Sequence, residues 1–311
     1  MKRFKNILFY TDGEAGSLLA LNRAVDLADQ NTGRLTVVNV VEELPRELSR
    51  LAGAMPWEDL QGMAMREARE QLELLVSPFQ EKGSPVNFEV LCGKPFIEVI
   101  RAVLRRQHDL VMMTADGRSE LMQALFGSTS LHLMRKCPCP VWVIKPSQTP
   151  RFAKILAAVD PDPLDTVRNA VNARIMELAT SLAELEDCEL HVVHAWQAGV
   201  RGFLPGWQAR ATEAWVRRTH AVHQRRFRQL LGQFELKNPK HRLHLIEGEA
   251  GVVIPQLADK EVVDLIVMGT VARTGIEGYF IGNTAETVLQ RVACSVLTVK
   301  PEGFVSPVKL D

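Results

Sequence analysis

The chain has 311 residues, 46% of them hydrophobic, with 37 basic and 37 acidic side chains. Two domains are the expectation at this length, and the charge balance, kept within each half, excludes wholesale binding to nucleic acid or an anionic membrane. No uninterrupted apolar run approaches membrane-spanning length, so no membrane segment is expected.

The opening residues MKRFKNILFYTD run straight into a strand, Asn6–Thr11, without the apolar core of a signal peptide. The expected location is therefore cytoplasmic. Five cysteines, an odd number scattered along the chain, fit reduced thiols better than a disulfide framework. An amphipathic helix follows over Ser17–Gln30, with Leu18, Leu21, Val25 and Leu27-Ala28 on its inner side. Strand two is Leu35–Val41. A polar, Met-bearing connection leads from it to a long helix near Trp57–Phe79. Strand three is Asn87–Leu91, followed by Gly93-Lys94-Pro95 and a helix to about Arg106. Strand four is Leu110–Met113. A glycine-bearing loop, a helix to about Arg135 and strand five, Val141–Ile144, complete this half. The second half repeats the order, with strands near Ile155–Val159, Leu190–Ala195, Arg242–Ile246, Leu265–Met268 and Val296–Val299. Alternating strand and helix of this kind give an α/β fold with a parallel sheet and helices on both faces.

The halves are copies of one another. DLVMMTADGRSELMQALFGST, from Asp109, aligns with DLIVMGTVARTGIEGYFIGNT, from Asp264, at an offset of 155. The same offset places Leu35 on Leu190, Gly93 on Gly248, Cys139 on Cys294 and Lys145-Pro146 on Lys300-Pro301. Near the start the offset is 148, with Asp12 on Asp160. The expected domains are 1–146 and 152–311, joined by the Pro-rich, polar segment Pro146–Arg151.

Within the second copy, Val262–Met268 reads as a strand buried on both faces. The chain breaks at Gly269, passes small residues to Gly282-Asn283, and enters a helix whose Ala285, Val288, Leu289 and Val292 have helical spacing. A loop at the carboxyl end of a parallel strand is where open α/β sheets bind ligands. Free N–H groups at the next helix start suit a phosphate.

A first strand ending in Asp, a Gly after strand three and a strand-four loop of the form MG-x-x-G-nine-G-S/T resemble the universal stress protein domain. The second half carries Asp160, Gly248, Met268-Gly269, then Ala272 where the family has glycine, and nine residues later Gly282-Asn283. The first half carries Asp12, Gly93, Thr114 for the first glycine, Gly117, and Gly127-Ser128. The likeness covers nearly the whole chain. RKCPCPVW (Arg135–Trp142) and GNTAETV (Gly282–Val288) resemble the long tandem, E-type bacterial branch. The resemblance implies two tandem flavodoxin-like domains of the adenine nucleotide alpha hydrolase-like kind. Each would be a five-stranded parallel sheet of order 3-2-1-4-5. It also implies pairing of the two domains as an intramolecular pseudo-dimer through strand five, and a nucleotide site that some members keep and others have lost.

Carried over residue by residue, that site puts Asp160 and the backbone near Ala195 against the nucleoside of ATP. Gly269, Gly282, Asn283 and Thr284 face the phosphates, with Gly248 and Met268 completing the motif. Ala272 adds one methyl, at a cost on the order of 1 kcal/mol if its φ must be positive. In the first half Thr114 adds a branched side chain where the loop leaves the strand, and Asp116 brings a negative charge, so ATP is expected in the second half only. Without a ligand these loops simply join strand to helix.

Other groups have plainer readings. His191 and His194, three apart on a strand, fall on opposite faces and cannot share a metal. His220 and His223 share a helix face, yet RRTHAVHQRRFR reads as a solvated basic face, and no metal site is expected. Cys137-Pro-Cys139 has one residue between its thiols where redox pairs have two, and reads as packing. Met55, Trp57, Met63 and Met65, and Phe203, Leu204, Trp207 and Trp215 in the second copy, read as core at helical spacing. No G-x-S-x-G elbow or G-x-x-x-x-G-K-S/T loop occurs, and no nucleophile–base pair is supported. The expectation is a non-catalytic stress-response protein acting on an unknown protein or small-molecule partner. A slow ATPase or ATP-dependent switch, and a carrier of an apolar small molecule, are the alternatives.

Overall fold

The computed structural model describes residues 4–13, 17–45, 56–115, 126–145, 151–199, 209–234, 240–270 and 281–310. Ala272, Asp116 and Gly117, like Met55, Phe203, Leu204 and Trp207, lie outside the described residues. Two compact units emerge, one of residues up to Pro150 together with Val305–Asp311, the other built on the stretch that starts at Arg151 and ends at Phe304. The C-terminal segment joins the first unit, where Arg101 Nε donates to the Lys309 carbonyl at 3.3 Å.

In the first unit the elements are β1 (Asn6–Tyr10), α1 (Ser17–Gln30), β2 (Arg34–Val41), α2 (Trp57–Glu81), β3 (Val86–Cys92), α3 (Pro95–Arg106), β4 (Leu110–Thr114), α4 (Ser128–Lys136) and β5 (Val141–Ile144). Every pairing is parallel, and the strand order is β3-β2-β1-β4-β5. β1 and β5 are buried along their whole length, as strands covered by helices on both faces must be. The order reverses between β1 and β4. Right-handed crossovers then send α1 and α2 to one face and α3 and α4 to the other; α3 and α4 also pack on each other.

The second unit has β6 (Lys154–Ala158), α5 (Thr166–Glu186), β7 (Glu189–Trp196), α6 (Ala209–Leu231), β8 (His241–Glu247), α7 (Ala250–Glu261), β9 (Leu265–Gly269), α8 (Asn283–Arg291) and β10 (Ser295–Val299). Its order, β8-β7-β6-β9-β10, is the same pattern, again parallel throughout. Both units therefore have the expected 3-2-1-4-5 sheet.

The repeated residues have identifiable jobs. Asp109 accepts the Lys5 and Asn6 N–H groups at 2.6 and 3.1 Å. Asp264, its copy, accepts those of Ala153 and Lys154 at 2.7 and 2.9 Å. Each carboxylate thus ties the start of its unit's first strand to the start of the fourth. The helix before each Asp ends in a left-handed residue, Gln107 (φ 55°) and Val262 (φ 55°). Trp57 donates its indole N–H to the Leu44 carbonyl at 2.6 Å, and Trp215 to that of Ala198 at 2.7 Å. Those bonds pin the chain leaving the second strand to the long helix after it.

Two expectations about packing differ from the structure. Leu18, expected on the inner side of α1, is half exposed, because Ala20, Leu21, Ala24, Val25, Leu27 and Ala28 form the buried stripe. Met63 and Trp215 are also about half exposed rather than core, Trp215 because its indole nitrogen is held at the surface by a carbonyl.

Candidate functional site

The site grows from the end of β6. Ala158 is level with Val193 of β7 and Met268 of β9, so Asp160, Ala195 and Thr270 stand level with one another at the same end of the sheet. Asp160 is fixed by its backbone. Its N–H donates to Asn172 Oδ1 at 2.9 Å, and its carbonyl accepts from Asn172 Nδ2 at 2.9 Å. Asn172 lies on α5 and is buried. That helix starts on a proper cap, the Asp165 side chain accepting the Arg168 N–H.

Arg168 then gathers three carboxylates, Asp165 at 3.1 Å, Asp160 at 3.3 Å and Asp162 at 3.6 Å. Arg226 of α6 adds a second cation, 3.5 Å from Asp162. The Asp160 side chain keeps 44% of its surface exposed. One carboxylate oxygen lies 4.0 Å from His194 Nδ1. That imidazole is buried, with Nδ1 3.2 Å from the Val159 carbonyl and Nε2 2.8 Å from His223 Nδ1. Burial chiefly pushes its pKa down to about 4, against the pull of Asp160. In the first unit the corresponding residue is Asn39, whose Nδ2 donates to the Thr11 carbonyl at 2.9 Å. His194 and Asn39 brace the same strand end.

The other side of the crevice is the end of β9. Thr270 is buried; its N–H donates to the Val299 carbonyl at 3.2 Å, and its carbonyl accepts the Gly282 N–H at 2.9 Å. The last bond sets the start of α8 directly beside the strand end. Gly282 caps that helix with φ −65°, and no side chain bonds to the cap. Among the described residues the N–H groups of Asn283, Thr284 and Ala285 have no hydrogen-bond partner, as the first turn of a helix requires unless something caps it. Lys300 Nζ reaches the Thr270 hydroxyl at 2.8 Å and lies 5.0 Å over the Phe304 ring.

Gly269 is the last residue of β9, and a Cβ there would meet Val171 Cγ1 of α5 at 2.9 Å. Its lack of a side chain lets α5 pack closely. Met268 is buried in the core. Gly248 has φ +153°, a Cβ there would come within 2.6 Å of Val253, and its N–H donates to the Trp196 carbonyl at 2.8 Å. It follows β8, about 14 Å from β9 at ordinary strand spacing. Asp160, Ala195, Gly269, Gly282, Asn283 and Thr284 therefore share one end of neighbouring elements, whereas Gly248 shapes the turn at β8. In the first unit Thr114, at the matching end of β4, keeps its hydroxyl buried without a partner.

Sequence reasoning missed Arg168, Asn172, Thr270 and Lys300. Lys300 had a visible signal, being repeated as Lys145. The inward turn of His223 contradicts its reading as part of a solvated face; a buried acceptor on β7 draws it in. Among the described residues no group of histidine, cysteine and carboxylate side chains could hold a metal ion. No described helix is long and apolar enough to cross a membrane.

Comparison with known proteins follows the same repeat. The universal stress protein family model matches twice, over residues 3–145 and 151–300. Universal stress protein E of Escherichia coli K12 is 29% identical over 316 residues, covering 100% of this chain and 98% of its own. The protein of that name from Photorhabdus laumondii is 27% identical, covering 99% of both chains. Among solved structures, a protein of unknown function from Pseudomonas aeruginosa PAO1 has a TM-score of 0.74 at 25% identity, over 97% of this chain and 95% of that one. A universal stress protein from Archaeoglobus fulgidus has a TM-score of 0.65 at 18% identity, over 97% and 98%, a likeness in fold.

Proposed function

The chain belongs to the universal stress protein family, and from that premise we propose that it is a non-catalytic, cytoplasmic stress-response protein of two domains, 1–146 and 152–311, that binds an adenine nucleotide in the second. The observation that carries this reading is the crevice between the ends of β6 and β9. The partly exposed Asp160 carboxylate stands on one side of it. On the other, the uncapped start of α8 presents the N–H groups of Asn283 and Thr284. It is the point where the strand order reverses, which suits a ligand in an open α/β sheet.

In this reading Asp160 and the backbone at Ala195 meet the nucleoside. The α8 amide groups, aided by the positive end of the helix dipole and by Lys300, meet the phosphates. Gly282 keeps a side chain out of that approach, and Gly269 lets α5 pack close against the end of β9. The proposal is binding rather than hydrolysis because Arg168 pairs with Asp160, Asp162 and Asp165 alike. A carboxylate already engaged by a guanidinium is not free to position a water for attack.

Thermal unfolding with and without ATP tests the reading, because a ligand that binds only the folded state raises its apparent stability. A rise of the transition at millimolar ATP, absent with inorganic phosphate at the same concentration, is the expected result. No shift with ATP would overturn it.

A further inference from the structure

We propose that the outward face of α6 is a binding surface for single-stranded nucleic acid. The helix carries Arg210, Arg217, Arg218, Arg225, Arg226 and Arg228 against one acid, Glu213. That is a local excess in a chain whose charges cancel only when taken as a whole. The structure divides these arginines by direction. Arg226 turns toward Asp162 in the crevice. Arg217, Arg218, Arg225 and Arg228 are exposed, and at the angular spacing of an α-helix they fall within an arc of about 100°. Among the described residues Arg218, Arg225 and Arg228 make no ion pair, and Arg217 pairs only with Glu213, at 3.6 Å across an exposed turn. Such a pair is weak and easily exchanged for another anion.

Trp215, Arg218, Val222 and Arg225 run along one side of that face at helical spacing. Trp215 is 47% exposed, Val222 44%, and the bond from the Trp215 indole to the Ala198 carbonyl holds the ring in place. An exposed row of unpaired guanidinium groups beside a fixed aromatic ring matches a strand of phosphates whose bases are free to stack. The apolar side of the helix argues against the other polyanionic surface, an anionic membrane. Phe227, Leu230 and Leu231 are buried in the protein, so the helix has no broad apolar face to insert. A duplex, with its bases already stacked, would gain nothing from the tryptophan.

The test is fluorescence anisotropy of a labelled single-stranded RNA of about 12 nucleotides, titrated with the full chain. Three arginine–phosphate contacts predict a salt slope of about −2, hence roughly a 20-fold loss of affinity between about 50 and 200 mM salt. R218E/R225E/R228E should abolish binding, and R218K/R225K/R228K should retain most of it. K82E/R105E/K260E makes the same change of net charge at exposed positions elsewhere and should bind like wild type. Circular dichroism confirms that the variants are folded, as these exposed sites lead one to expect. Loss of binding in the K82E/R105E/K260E control would mean net charge alone and overturn the proposal. So would wild type that ignores RNA, including wild type that instead binds phosphatidylglycerol vesicles.

Discussion

His194 Nε2 lies 2.8 Å from His223 Nδ1, and this contact joins the second strand of the second unit to its long helix. A carbonyl only accepts, so His194 Nδ1 donates its proton to Val159 O. Nε2 of the neutral ring must then accept from His223. Protonating His194 would make Nε2 a donor and require His223 to move its proton from Nδ1 to Nε2.

A pH dependence follows. The pKa of His194 is pushed down to about 4 from 6.5 by burial, with Asp160 opposing and His223 and Arg226 reinforcing. Between those values the unfolded chain holds a proton on this residue and the folded chain does not, so stability is lost as pH falls from about 6.5 toward 4. The full loss, reached once the pH is below about 4, is on the order of 3 kcal/mol. His108, buried in the first unit, is also pushed down to about 4 and acts in the same direction. His194→Asn copies Asn39 of the first unit and keeps a donor for the Val159 carbonyl. Denaturant melts at pH 7.5 and pH 5 should show a smaller stability loss for this variant than for wild type, an estimate that follows from removing one of the depressed histidines.

Asn172→Ala should cost about 2–3 kcal/mol, because it strips both the Asp160 N–H and the Asp160 carbonyl of their partner. Denaturant titration measures it. A loss below about 0.5 kcal/mol would show that the pair is not needed to hold the strand end.

Val262 should repay replacement. It is a branched residue at φ 55°, 73% exposed, ending α7 in the left-handed region. That conformation costs a non-glycine residue about 1–2 kcal/mol, and glycine adopts it freely. Val262→Gly should therefore stabilise the protein by about 1 kcal/mol in the same titration.

The thiols should react unequally. Cys92 is exposed, whereas Cys137, Cys139, Cys188 and Cys294 are buried. Burial pushes Cys188 up to about 12, and Cys139 is raised well above the ordinary thiol value, first by its contact with Cys137, the sulfurs 3.5 Å apart, and then by burial. An Ellman titration of native, reduced protein should count one fast thiol, and the remaining four should appear only on unfolding.

The strands and the repeat were legible because both rest on burial. Ile7-Leu8-Phe9 and Leu265–Met268 are short apolar runs of the kind covered strands show, and Asp109 and Asp264 recur because each stitches two strand starts together. Less of the site was legible. Asp160 and the glycines stand in a motif that can be read in line. Arg168, Asn172 and His223 act across elements, and their partners depend on how closely a helix approaches the sheet, which periodicity does not encode. His220 and His223 lie among arginines in sequence, but on the helix they face the sheet. His223 and His220 touch Trp196, ring centres 5.6 and 5.4 Å away.

The most direct test of the account is isothermal calorimetry with ATP on three proteins. Wild type should bind one ATP per chain, Gly127→Val should bind as wild type does, and Gly282→Val should not bind, its side chain filling the approach to the α8 amide groups. Equal loss in both variants, or binding that survives Gly282→Val, would contradict a single site at the β6–β9 crevice.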